Sequence, residues 1–237
     1  MKHRHSPQPY WVLLGGCILA FLSASFNAGL FLTLGNSVGQ MSGEISRMAL
    51  NLTHRELNGL GANVLLTISA FLVGSAIAGF TIHHPTLDKS LPYGRCMMFI
   101  GGCLVSAHFS LQTFPRAALA FGGFASGFQN AIATHYRGIV LRTTHITGLM
   151  TDVGSHLGMF FRGHQIAFWK IWVPAVVIFF FFIGGIFGSW LYLADTPFLL
   201  ILAGAYFFGG FAWFLVNRVL FNDGAMRLRR TSPPESA

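Results

Sequence analysis

Apolar residues along the chain are collected into six long runs, separated by shorter polar segments. About 20 helical residues are needed to cross the roughly 30 Å hydrocarbon layer of a bilayer, and each run is close to that length. The runs lack the sustained apolar and polar alternation that is typical of membrane barrel strands. The pattern therefore predicts an all-α polytopic membrane protein with six transmembrane helices, over residues 10–34, 61–82, 96–114, 117–135, 171–194 and 198–216.

Two of the polar segments contain short semi-apolar stretches of their own. Residues 41–52 follow the first run, and residues 146–161 follow the fourth. Both stretches are too short or too polar to cross a bilayer as ordinary helices. We expect two short re-entrant or interfacial helices, one starting from each face of the membrane.

The chain contains an internal repeat. Residues 21–28 (FLSASFNA) resemble residues 124–131 (FASGFQNA), which aligns Asn27 with Asn130. Allowing two extra residues aligns Ser42-Gly43 with Thr147-Gly148, and residues 71–75 resemble residues 181–185. Each copy holds three predicted spans, and an odd number places the second copy in the opposite orientation. We therefore predict one membrane domain of two inverted three-helix repeats, about 10–114 and about 117–217, with a disordered tail over about 224–237.

Composition and charge fit this class. Hydrophobic residues make up 53% of the chain and charged residues 9%, whereas soluble domains carry about 25% charged residues. The formal net charge of +8 could indicate a nucleic-acid partner, but this is the weaker interpretation. The distribution of the charges instead indicates the orientation of the chain in the membrane. Most lysines and arginines share a side with both termini, whereas Arg47, Arg55 and Arg116 lie opposite. The positive-inside rule therefore places both termini in the cytoplasm.

Nothing in the sequence is typical of an enzyme. It has no G-x-S-x-G elbow, no H-E-x-x-H helix and no Walker loop. The cysteines Cys17, Cys96 and Cys103 lack C-x-x-C spacing, and the ten histidines form no compact ligand motif. We expect no catalytic residue, no cofactor and no metal.

The second copy carries a family resemblance. Its segments Gln129-Asn130-Ala131 and Thr144-x-x-Thr147-Gly148 resemble those of the YoaK family of uncharacterised bacterial inner-membrane proteins. The resemblance covers nearly the whole chain and implies a six-helix protein of the bacterial inner membrane, without an established activity. The family pattern has an Asp in the first helix, followed by Thr-Gly-Asn. This chain has Asn27 there, followed by Ser42-Gly43-Glu44.

A cluster of polar residues precedes the stretch 146–161 and is our first candidate for solute binding. Threonine hydroxyls at a helix start can cap it and leave backbone N–H groups for an anion. Arginine and histidine nearby would add positive charge. Alternatively, the arginine marks the membrane interface and the threonines only cap the helix. The residues concerned are Arg142, Thr143, Thr144, His145 and Thr147.

Two acidic residues extend this candidate site. Asp152 follows in a largely apolar stretch, where an ionisable group is costly unless it is paired or functional. With Arg142, His145 or His156 as a partner, it could relay protons or form a structural pair. Glu44 follows Ser42-Gly43 in the first copy and is its possible counterpart across the repeat.

The amides Asn27, Gln129 and Asn130 lie within predicted spans and complete the candidate set together with Ser42. Such amides either bond across helices or bind a solute. Our leading hypothesis is a secondary transporter or permease for a small polar or anionic solute, bound between the repeats. The alternatives are a non-transporting membrane scaffold and a membrane-embedded enzyme. Small-residue faces such as Gly184, Gly185 and Gly188 suit either internal packing or a homo-oligomer in the lipid bilayer.

Overall fold

The computed structural model describes residues 10–53, 60–82, 93–132, 134–136, 139–141 and 143–218. These residues form eight helices and one two-stranded hairpin. Every predicted apolar run and both short stretches become helices, whose ends lie within a few residues of the predicted ones. In chain order the elements are α1 (Tyr10–Leu34), α2 (Met41–Thr53), α3 (Leu60–Thr81), α4 (Tyr93–Ser110), α5 (Pro115–Ala131), β1 (Thr134–Tyr136), β2 (Ile139–Leu141), α6 (Ile146–Phe161), α7 (Trp169–Leu193) and α8 (Phe198–Asn217).

Four of the helices, α1, α3, α7 and α8, are long and apolar enough to cross a membrane. Their outer faces carry large exposed apolar side chains such as Phe182, Leu193 and Phe208, as lipid contact requires. The chain is therefore a helical membrane protein, and the lipid bilayer is its surrounding medium.

The two remaining long helices, α4 and α5, were also predicted as spans, but they are not among the four helices that are long and apolar enough to cross a membrane. They have 18 and 17 residues, and α5 buries a row of small and polar residues that includes Ser126 and Gln129. Helix α5 packs against α3, α4 and α1. Because protein rather than lipid covers α5, its sequence is less apolar than that of a lipid-facing helix.

The fourth predicted run extends too far. Helix α5 ends at Ala131, and residues 134–136 pair with 139–141 as an antiparallel hairpin, which the sequence did not predict. The side chains of Gln129 and Asn130 bond to residues 143 and 144. The chain must therefore turn back at this end of α5, and the hairpin makes that return.

The helices pack mainly in three pairs, α1 with α7, α3 with α5 and α4 with α8, while α2 lies on α3 and α6 on α7. Glycines allow these pairs to approach closely, as the first two pairs illustrate. A Cβ built on Gly184 would overlap the carbonyl oxygen of Phe21, and one built on Gly74 would overlap that of Phe124. Backbone contact of this kind is how small residues bring membrane helices together.

Candidate functional site

The first half of the candidate site is the break between α1 and α2, residues 35–40. Gly35 begins it at φ 69°, a left-handed conformation that glycine adopts without steric cost. The side-chain oxygen of Asn27 accepts hydrogen bonds from the backbone N–H groups of Val38 (2.9 Å) and Gly39 (2.8 Å) and from the hydroxyl of Ser37 (2.9 Å). One helical asparagine thus fixes the backbone of the whole break.

Glu44 secures the same break from the α2 side. Its side chain is buried, 2% exposed, and its carboxylate accepts hydrogen bonds from the Ser37 N–H (2.8 Å) and the Asn36 amide (3.1 Å). Arg47, one turn later, forms an ion pair with it at 3.1 Å and donates to the Gly35 carbonyl at 2.7 Å. A buried carboxylate needs this kind of compensation, so Glu44 serves the break as a structural anchor.

The second half of the site is the break before α6, residues 143–145. The Asn130 oxygen accepts hydrogen bonds from the Thr144 N–H (3.1 Å) and the Thr143 hydroxyl (3.3 Å). Its amide group donates to the Thr144 hydroxyl (2.7 Å) and to the Ser126 carbonyl (3.1 Å). Asn130 therefore holds the second break as Asn27 holds the first.

Gln129 adds a buried connection from this break to other helices. Its amide group donates to the Thr143 hydroxyl (3.1 Å) and to the Leu19 carbonyl of α1 (2.8 Å). Its oxygen accepts a hydrogen bond from the hydroxyl of Tyr206 in α8. Sequence reasoning missed Tyr206, although a phenol in the middle of an apolar helix was the available signal.

The two breaks touch one another. A Cβ built on Gly39 would lie 3.3 Å from the Thr144 methyl group and 3.4 Å from both the Asn27 oxygen and the Ser126 hydroxyl. Ser126 and its repeat partner Ser23 are fully buried. Within the described residues neither hydroxyl has a hydrogen-bond partner. At the meeting point, the hydroxyl of Ser126 therefore has unused bonding capacity.

Several candidate residues lie away from this meeting point. Ser42 and Thr147 are exposed on α2 and α6, and exposed His145 stands at the α6 N-cap position without a side-chain capping bond. The prediction that a threonine hydroxyl caps this helix was wrong, because Thr143 and Thr144 bond to Asn130 instead. Arg142 lies outside the described residues.

Asp152 is exposed on α6, so no other part of the described protein covers its carboxylate. Its backbone carbonyl, rather than its carboxylate, contacts the Nδ1 atom of His156 at 2.6 Å. The buried residue of α6 is Leu149, whereas the buried residue of α2 is Glu44. In the repeat alignment Leu149 occupies the position of Glu44, and Asp152 that of Arg47.

The charge at the meeting point is balanced within the described residues, where Glu44 and Arg47 form the ion pair. No group of three or more His, Cys, Asp or Glu residues in the described part of the chain could hold a metal ion. The other groups that gather there are amides, hydroxyls and backbone N–H groups. Such groups can donate hydrogen bonds to a small polar molecule and accept them from it.

Residues 15–213 match the family model described as protein of unknown function (DUF1275). The chain belongs to this family. YoaK proteins are DUF1275 members, which confirms the resemblance that the Gln-Asn-Ala and Thr-x-x-Thr-Gly segments carry. Both breaks and their anchoring side chains lie inside the region matched to DUF1275. Neither a curated protein nor a solved structure matches the chain.

Proposed function

We propose that this protein is a permease for a small polar or anionic solute, which binds where the two breaks meet. All six long helices cross the bacterial inner membrane in this proposal, as two inverted repeats with both termini in the cytoplasm. Helices α2 and α6 are the re-entrant or interfacial elements. The proposal assigns no covalent chemistry to the chain.

Helix packing supports the inverted repeat. The sequence alignment pairs Phe21 with Phe124 and Gly74 with Gly184. Gly74 lies against the Phe124 carbonyl, and Gly184 lies against the Phe21 carbonyl. Exchanging the two copies therefore turns one contact into the other, as a pseudo-two-fold axis requires.

The bonds of the two asparagines support the same relation. Gly39 and Thr144 each lie three residues before the aligned pair Ser42 and Thr147. The Gly39 N–H donates to Asn27, and the Thr144 N–H donates to Asn130. Equivalent backbone groups thus bond to equivalent side chains, which is unexpected for two unrelated loops.

The observation that carries the solute site is the pair of buried hydroxyls, Ser23 and Ser126. A buried hydroxyl without a partner costs about 1–3 kcal/mol, and buried polar groups usually have a bonding partner. Both hydroxyls occur at equivalent repeat positions without a partner in the described residues. A solute or water bound beside Gly39 would supply the missing bond of Ser126, and Ser23 occupies the equivalent position in the first copy.

The packing arrangement supports alternating access as the mechanism of this permease. Asn27 ties the first break to α1, which packs on α7 of the other copy. Asn130 ties the second break to α5, which packs on α3 of the other copy. Rocking one pair, α1 with α7, against the other, α3 with α5, separates the breaks on one side at a time. A site between two helix pairs that rock in this way is open to each face in turn.

Solute flux into proteoliposomes, screened over small neutral and anionic compounds, tests the proposal. For a transported solute, we expect Ser126→Ala and Ser23→Ala to lower flux about tenfold or more, the loss expected for one buried hydrogen bond. Ser106→Ala is the matched control, because the Ser106 hydroxyl already bonds to the Gly102 carbonyl at 3.1 Å. Unchanged flux in both alanine variants would show that the solute does not bind at this site.

The scaffold alternative is favoured by one observation, since both asparagine side chains bond to their own breaks. Cysteine labelling separates the two functions in a background that lacks Cys17, Cys96 and Cys103. A permease exposes a cysteine at position 126 to a small water-borne thiol reagent during its cycle, whereas a scaffold keeps it unlabelled. A cysteine at exposed position 147 controls for reagent access.

A further inference from the structure

Tyr206 of α8 contacts residues of both repeats. Its side chain is fully buried, and its ring contacts that of Phe26 in α1 with centroids 6.5 Å apart. Its hydroxyl donates to Gln129 in α5. Phe26 and Gln129 are equivalent in the repeat alignment, since each directly precedes its anchoring asparagine. One tyrosine therefore contacts both copies, but hydrogen-bonds to the second copy alone among the described residues.

The hydrogen bond to Gln129 continues into the second break. Gln129 donates to the Thr143 hydroxyl (3.1 Å), which donates in turn to the Asn130 oxygen (3.3 Å). Tyr206, Gln129 and Thr143 are each 1% exposed or less. A buried neutral network of this kind gives a defined geometry when its members are satisfied, and loses it when one is removed.

The first break is held differently. Its anchors are Asn27, Glu44 and Arg47, which lie within α1 and α2 next to the break itself. In the second copy, Leu149 replaces the carboxylate of Glu44, and the supporting bonds come from α5, with Tyr206 of α8 behind them. The two breaks thus depend on different helices.

We propose that Tyr206 is a positioning residue that latches the second break to α8, so that the two breaks are released independently. When α8 shifts relative to α5, Gln129 loses the hydrogen bond from the Tyr206 hydroxyl. The Gln129 amide group, which donates to the Thr143 hydroxyl, is then no longer held in a fixed position. The N–H of Thr144 is then freed from Asn130. The idea that this release opens a path for a solute rests on the proposed function. The connection from Tyr206 to the second break does not.

Hydrogen exchange measured by mass spectrometry on the full chain in lipid nanodiscs tests the latch. In Tyr206→Phe, we expect amides in peptides covering residues 143–149 to exchange about tenfold faster, the effect of losing one buried hydrogen bond. Peptides covering residues 37–44 should stay within about twofold of wild type, because their anchors are untouched. Tyr192→Phe is the matched control, since Tyr192 is half-buried and packs edge-on against Phe198.

A second variant tests the same connection without altering α8. Thr143→Val removes the hydroxyl between Gln129 and Asn130 and is expected to accelerate exchange over residues 144–149 to a similar extent. It decides the question if Tyr206→Phe fails to fold. Equal acceleration in both breaks, or no acceleration in either, overturns the latch. Exchange requires no solute, so a failed flux screen and a failed latch are separate results.

Discussion

The backbone of Gly184 in α7 lies directly against the carbonyl oxygen of Phe21 in α1, leaving no space for a side chain. The next glycine, Gly185, has open space where its Cβ would be. We expect Gly184→Ala to destabilise the protein by about 1–3 kcal/mol through overpacking, and Gly185→Ala to change stability by no more than about 0.5 kcal/mol. The unfolding midpoint in mixed micelles measures both. Equal midpoints for the two variants would mean that α1 and α7 do not meet at Gly184.

The two anchoring asparagines should respond differently to a carboxylate. Asn27 acts through its oxygen, which accepts three hydrogen bonds, so Asn27→Asp retains every acceptor and gains stronger, charge-assisted bonds. Asn130 also donates, to Thr144 and to the Ser126 carbonyl. Asn130→Asp therefore loses two donors and places negative charge beside a carbonyl.

We expect Asn27→Asp to fold with nearly wild-type stability and Asn130→Asp to lose about 2 kcal/mol or more. Thermal unfolding in detergent at neutral pH compares the two variants directly. Asn27→Leu is the control for the first position, because it leaves three donors unsatisfied and should be destabilised. If Asn27→Asp proves as harmful as Asn27→Leu, the Asn27 oxygen is not the anchor of the first break.

The sequence predicted the helices well because their signals are local. Apolar length identifies α1, α3, α7 and α8, and the short semi-apolar stretches identify α2 and α6 within about a turn. The importance of Asn27 and Asn130 was also predictable, since an amide in an apolar run requires a partner. The identity of those partners was not, because residues 37–39 and 143–144 come close only after the chain turns back.

Burial of individual side chains was the least predictable property. Asp152 and Glu44 occur in similar segments, yet Asp152 is exposed and Glu44 is buried. The two acidic residues stand at different positions of the repeat, since Glu44 is equivalent to buried Leu149 and Asp152 to partly exposed Arg47. The partner of Tyr206 was not predictable either, because the Tyr206 hydroxyl bonds to α5, a helix more than seventy residues earlier in the chain.

Serine hydroxyls link the helices within two of the pairs, α1 with α7 and α3 with α5. Ser25 of α1 donates to the Gly184 carbonyl (2.9 Å), and Ser75 of α3 donates to the Gly127 carbonyl (3.0 Å). Hydrogen bonds between membrane helices contribute about 0.6 kcal/mol on average, so Ser25→Ala and Ser75→Ala should each cost about that much. The double variant should show the sum, because the interfaces are separate. A cost well above the sum would reveal coupling between α1·α7 and α3·α5.

Glu44 should contribute more to stability than the acidic residue of α6. Glu44→Gln replaces a carboxylate oxygen by an amide donor that faces the donors Asn36 and Arg47, and it breaks the ion pair. Because Glu44 is buried while Arg47 is partly exposed, we expect a loss of about 1–3 kcal/mol. Asp152→Asn is the matched control and should lie within about 0.5 kcal/mol of wild type, since its side chain is exposed.

The unfolding midpoint of these two variants, measured at neutral pH with low and high salt, checks the assignment of Glu44. Salt screens exposed charges more strongly than buried ones, so the difference between Glu44→Gln and wild type should persist at high salt. A loss of stability in Asp152→Asn equal to that in Glu44→Gln would contradict the assignment. Such a result would make Asp152 of α6 a structural carboxylate as important as Glu44 of α2.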